Sequence, residues 1–156
     1  MAHPVDTKLA ERNLTLPPST APAANYVPYV ITGNVVTISG QLPMKDGAAQ
    51  FIGKVGKEFT TAEGKQCAEL CLLNVLSHLR AACNGDFGKV KRCIRLGIFV
   101  NSTPDFTEQP QVANGASDLM VHLFGKAGEH ARAAVGVAQL PRGVAVEVEA
   151  HFELNA

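Results

Sequence analysis

The chain has 156 residues, 46% hydrophobic and 18% charged, and its 14 basic side chains are balanced by 14 acidic ones. This is an ordinary globular composition with room for a core, and the neutral balance excludes the basic footprint of a nucleic-acid binder. No apolar run reaches membrane-spanning length, and the start, MAHPVDTKLAERN, lacks a basic region followed by an apolar core, so a single cytoplasmic domain over 1–156 is expected, with 1–20 as an N-terminal extension.

Pro4 to Asn13 predicts a short helix with Leu9 as its one strong anchor, packed on the surface or frayed. Leu16 to Pro22 is proline-rich and reads as an extended tether. Tyr26–Thr32 and Val35–Ser39 alternate as strands, and Gly33-Asn34 between them suits a tight hairpin because both residues tolerate positive φ. Lys45 to Gly56 is turn-rich and polar, with a short strand expected at Phe51-Ile52. Thr60-Thr61-Ala62-Glu63 matches a capping box, and a long helix follows to about Cys83, where Asn84-Gly85 stops it. Cys67, Leu70, Cys71, Val75 and His78 form its stripe, widened by Leu73, Leu76 and Leu79, so the helix faces a core and His78 sits at the core edge.

Val90–Asn101 is apolar on both faces and is expected to be a central strand. A second helix is predicted from Gln109 or Gln111 to Phe124, with Pro110 in its first turn and a kink or late start at Asn114-Gly115. The four cysteines, Cys67, Cys71, Cys83 and Cys93, include no CxxC pair and no histidine at zinc spacing, so they read as buried free thiols rather than metal ligands. A P-loop, GxGxxG, HExxH and GxSxG are all absent.

The last stretch, Gly128 to Phe152, reads as two strands joined by a Leu140-Pro141-Arg142-Gly143 turn. Val144, Val146, Val148, Ala150 and Phe152 fall on one face of the second strand, and Glu147, Glu149, His151 and Glu153 on the other. In the first strand Arg132 is the one long cation on a face otherwise made of Ala134, Gly136 and Ala138. If the two strands pair across the turn, Arg132 and the glutamates flank one small pocket, and a planar guanidinium there suits a small carboxylate. The plainer alternative is a cross-strand Arg–Glu ion pair on a solvated face. The whole order, β-β-(β)-α-β-α-β-β, implies an α+β layout with two helices on one face of one sheet. The other face, to which Val36, Ile38, Phe99, Ala133 and Val135 are assigned, then needs a second subunit as cover.

With these residues in view, the sequence resembles the Rid family (YjgF, reactive intermediate deaminase, also called L-PSP endoribonuclease) from about Ser19 to Leu154. The most specific piece is Ala131-Arg132-Ala133-Ala134-Val135, then Leu140-Pro141, then Val146-Glu147-Val148-Glu149-Ala150. Ala21-Pro22-Ala23-Ala24 with Pro28-Tyr29, Ile38-Ser39-Gly40-Gln41-Leu42-Pro43 and Asp105-Phe106 support it. The resemblance implies a chorismate-mutase-like fold, a six-stranded sheet with two helices on one face, assembled as a homotrimer with pockets at its interfaces. It implies hydrolysis of enamines and imines such as 2-aminoacrylate to a 2-oxo acid and ammonia, with no cofactor and no metal. Arg132 matches the arginine that holds the substrate carboxylate, and Glu147 the glutamate beside the hydrolytic water. Tyr29, Ser39, Gly40 and Asn114 match pocket-lining positions, Asn114 with a one-residue shift. Ala134 stands where many members have cysteine, which leaves a backbone amide as the contact there. His130 replaces the usual small residue or proline beside the arginine and is placed at the pocket rim, where it could touch substrate. A non-catalytic trimer that holds a small 2-oxo acid is the alternative from another class. An endoribonuclease fits the neutral charge poorly.

Overall fold

The structure, a computed structural model, describes residues 2–19, 21–22 and 24–156. Thr20, part of the expected tether, and Ala23, part of one family-like segment, lie outside the described residues. The elements are α1 (Pro4–Glu11), β1 (Tyr29–Thr32), β2 (Val35–Gln41), β3 (Met44–Lys45), β4 (Ala48–Ala49), α2 (Thr61–Ala82), β5 (Val90–Asn101), α3 (Gln109–Phe124), β6 (Ala131–Val137) and β7 (Val146–Leu154). The α+β reading holds, with three helices rather than two.

The third helix is α1, and it is docked rather than frayed. Val5 and Leu9 are both buried, Asp6 pairs with Arg80 at 3.1 Å, and Arg12 pairs with Glu69 at 3.0 Å. His3 caps the helix, its Nδ1 accepting from the Val5 amide at 3.2 Å. At the start of α2 the capping box forms in both directions between Thr60 and Glu63. In the turn-rich stretch, Asp46 (φ 51°) and Gly47 (φ 77°) make the tight hairpin between β3 and β4.

Five strands form the main sheet in the order β1-β2-β7-β5-β6, and β3–β4 stand apart. The expected sixth strand is reduced to a single bridge, Ile52 to Val144. Phe51 takes φ 54°, which interrupts an extended run before it can lengthen. β1 begins at Tyr29, three residues later than expected, just after Pro28, which has no amide hydrogen to add to a ladder.

The closing strands do not pair with each other. β6 runs parallel to β5 after the crossover through α3, and β7 lies antiparallel between β5 and β2. Physical cause favours this order: β7 has an unbroken apolar face, so a central place with two ladders buries it fully, while the small-residue strand β6 takes the edge. Val146, Val148, Ala150 and Phe152 are accordingly buried under the helices. Val36 and Ile38 also face the helices and are buried, which corrects their assignment to the uncovered side. Phe99, Ala133 and Val135 do lie on the open side, with Val135 47% exposed.

α3 is continuous through Asn114-Gly115. Gly115 marks a close crossing rather than a kink: a Cβ there would collide with the carbonyl of Lys65 on α2. His78 is buried at the core edge, its Nδ1 3.0 Å from the Ser19 hydroxyl, and burial lowers its pKa. All four cysteines are buried free thiols. Burial pushes the Cys93 thiol up to about 12. Among the described residues, no helix is long and apolar enough to cross a membrane, and no group of three metal-binding side chains converges.

Candidate functional site

Arg132 lies at the start of the edge strand β6, with its Cα opposite Leu96 of β5. Leu96 is buried on the helix side, and Arg132 likewise turns toward α3. Its Nη1 donates to Asn114 Oδ1 at 2.8 Å and to Ser117 Oγ at 3.1 Å. Guanidinium only donates, so the amide oxygen of Asn114 must be the atom facing it. Asn114 and Ser117 are three residues apart and share one face of α3. Arg132 has no carboxylate partner among the described residues. The cross-strand ion pair forms instead between Arg95 and Glu149, at 3.3 Å.

His130, two residues before Arg132, has both ring nitrogens engaged. Nε2 is 2.8 Å from Ser117 Oγ, and Nδ1 is 2.6 Å from the Gly128 carbonyl. Neither is left for a substrate. Ala134, two residues beyond Arg132 on the same face, is half-buried.

Glu147 belongs to a second cluster. Its Cα pairs with Phe99 on the open side of the sheet. A bulge in β2 between Ile38 and Gln41 brings Gly40 beneath it, and the Glu147 carboxyl group covers the place where a Gly40 side chain would stand, with Cδ 3.0 Å from an ideal Cβ. Only glycine leaves room for this. Burial raises the Glu147 pKa above its ordinary value, and the neighbouring Glu149 charge raises it further. Ser39 fixes the bulge, its amide donating to Pro28 O at 2.9 Å and its hydroxyl to Val27 O at 2.8 Å. Tyr29 begins β1 beside it, opposite Ile38, and is half-buried.

Seven of the eight expected residues thus gather into two clusters, Arg132 with Asn114, His130 and Ala134, and Glu147 with Gly40 and Ser39, while Tyr29 shares the helix-side face of Ile38 and packs against the core. The clusters do not share a pocket within one chain. Arg132 and Glu147 are two strands apart and three residues out of step, roughly 14 Å between Cα positions by ordinary strand spacings, and they project from opposite faces. The pocket expected between two paired closing strands is therefore absent from the single chain, because β5 separates them. A cavity of about 550 Å³ lies elsewhere, between Leu14–Pro18, the β3–β4 hairpin and α2. Ser117 was not anticipated. Its spacing from Asn114 is visible in the sequence, but the strand that meets that helix face is not.

A family model described as "YjgF/chorismate mutase-like, putative endoribonuclease" matches residues 6–150. Protein TCP17 of Trypanosoma cruzi is 51% identical over 152 residues, covering 97% of this chain and 94% of that protein. The crystal structure of Atu1372, a protein of unknown function from Agrobacterium tumefaciens, superposes with a TM-score of 0.92 at 45% identity, covering 97% of this chain and 93% of the other. A 2-iminobutanoate/2-iminopropanoate deaminase from Dermatophagoides farinae is 26% identical over 140 residues, covering 89% of this chain and 93% of that protein. With nearly its whole length matched by the family model and the fold shared, this chain belongs to the YjgF/chorismate mutase-like family.

Proposed function

We propose that this chain is the subunit of a homotrimeric hydrolase that converts small 2-imino acids, and the enamines that tautomerise to them, into 2-oxo acids and ammonia. The observation that carries the proposal is the division of the site. A guanidinium without a carboxylate partner and a half-buried carboxyl group with a raised pKa face away from each other in one chain. A second copy that brings its Glu147 cluster against the Arg132 cluster of the first completes a site, and the exposed apolar residues of the open face, Val135 among them, give the copies a surface to meet on. The likeness to the 2-iminobutanoate/2-iminopropanoate deaminase of Dermatophagoides farinae supports the choice of reaction.

In this reading Arg132 holds the substrate carboxylate. Water adds to the imine carbon, forming a C–O bond as the C=N π pair moves to nitrogen. Glu147 takes a proton from the water and returns one to the nitrogen; a carboxyl group whose pKa is raised by burial suits both transfers. The hydroxyl proton is then passed to the nitrogen, the C–N bond breaks with its electron pair on nitrogen, ammonia leaves and the ketone forms. No oxidation state changes, and no cofactor is assigned.

The test is ammonia release from 2-aminoacrylate generated in situ by a β-eliminating enzyme. Wild type should accelerate it. Arg132→Ala should lose about 2–5 kcal/mol of substrate binding, and Arg132→Lys should also be poor, because an ammonium lacks the planar fork. Glu147→Gln should lower kcat about a hundredfold or more with little change in affinity. Binding of 2-oxobutanoate without any acceleration would make the chain a metabolite-holding module instead.

A further inference from the structure

We infer that Ser117 and His130 are positioning residues that aim one particular edge of Arg132, its Nε–Nη2 side, at the carboxylate of the ligand; this rests on the reading of Arg132 as the carboxylate receptor. The direction of each hydrogen bond follows from what the atoms can do. The Gly128 carbonyl only accepts, so His130 Nδ1 carries the ring proton at 2.6 Å from it. In the neutral ring Nε2 then has a lone pair, and the Ser117 hydroxyl, 2.8 Å away, donates to it. That leaves a Ser117 Oγ lone pair for Arg132 Nη1 at 3.1 Å. The result is a one-way chain, from Arg132 Nη1–H to Ser117 Oγ–H to His130 Nε2, with His130 Nδ1–H closing on backbone.

The far end of the chain is fixed. Gly128 is buried against α3, and an added Cβ would overlap the Met120 carbonyl and lie 3.0 Å from Val121 Cα. The tautomer of His130 is therefore set by backbone that packs on the same helix that carries Ser117. At the near end, Asn114 Oδ1 and Ser117 Oγ take both hydrogens of Nη1. Three N–H groups remain, one on Nε and two on Nη2, and none has a partner among the described residues. Nε and Nη2 point the same way in the guanidinium plane, so this edge is the free bidentate one. A carboxylate docks side-on, and the two α3 side chains prevent the end-on geometry.

The probe is 2-oxobutanoate, titrated by calorimetry into the intact protein and its variants, with oligomer mass checked for each. Ser117→Ala and His130→Ala should each weaken binding about threefold to tenfold. The double variant should bind no worse than Ser117→Ala alone, because His130 acts only through the hydroxyl. His130→Gln, whose side-chain oxygen reaches the Nε2 position as an acceptor, should bind within about twofold of wild type. In the deamination assay the loss should fall on KM with kcat held. Independently of binding, ¹⁵N shifts of His130 in wild type should show the Nδ1–H tautomer. Strictly additive effects of Ser117→Ala and His130→Ala, wild-type binding by both, or an Nε2–H ring would overturn the inference while Arg132→Ala still loses binding. Wild-type binding by Arg132→Ala would overturn the receptor reading itself.

Discussion

Glu147 and Gly40 are coupled at the scale of single atoms. The carboxyl group occupies the space a Gly40 side chain would need, and its ionised form is disfavoured by burial and by a neighbouring negative charge. A carboxyl group whose folded pKa is raised binds its proton more tightly in the folded state. Its stabilising share is full below the unfolded value and is lost as pH rises through the folded one. Glu147→Gln removes that loss, so the variant should melt higher than wild type at pH 7, and the advantage should vanish below the ordinary carboxylate pKa of about 4.3. Thermal melts across pH check this. A variant that is more stable and less active is the signature of a group kept for chemistry.

Between elements, the closest tolerance is where α3 crosses α2. Gly115 rests on the Lys65 carbonyl, and Gly64 faces Val112 with its ideal Cβ 3.0 Å from a methyl. The obstacle at Gly115 is backbone, which cannot rotate aside. Gly115→Ala should therefore push the helices apart and cost about 1–3 kcal/mol, even though alanine is the better helix former. Denaturant midpoints measure the cost. Asn114 and Ser117 flank that glycine, so the same variant should also weaken 2-oxobutanoate binding by displacing the acceptors of Arg132. Binding unchanged after a clear loss of stability would show that the site tolerates movement of α3.

For the whole molecule, the sheet is covered by helices on one side only, and the other side mixes Arg95–Glu149 with exposed apolar groups such as Val135. A chain with no net charge has little to keep copies apart. Three copies of 16.5 kDa give about 50 kDa, which light scattering should find at micromolar concentration. Val135→Asp, a charge placed on the apolar part of that face, should shift the species toward the single-chain mass and abolish deamination with it, since neither cluster is complete alone. A stable single chain in the wild type would remove the proposed shared site.

Much of this was legible from neighbours along the chain. The limits of β5 and the start of α2 follow from alternation and from the Thr60–Glu63 box, because strand pleat and helix caps depend on residues a few positions apart. The family-like run around Arg132 and Glu147 marked both charged residues. The Asp46-Gly47 hairpin carried an equally local signal, in a stretch read only as turn-rich. Strand order was not local: β6 and β7 are adjacent in sequence and separated by β5 in space, because burial of β7 outweighs a short turn. Gly115 looked like a helix breaker and is a packing glycine, which only the partner helix reveals. The partition of the site has the same origin. Periodicity assigns a residue to a face of its own strand, but which faces look at each other depends on how the strands are ordered, and that is decided by burying apolar area over the whole chain.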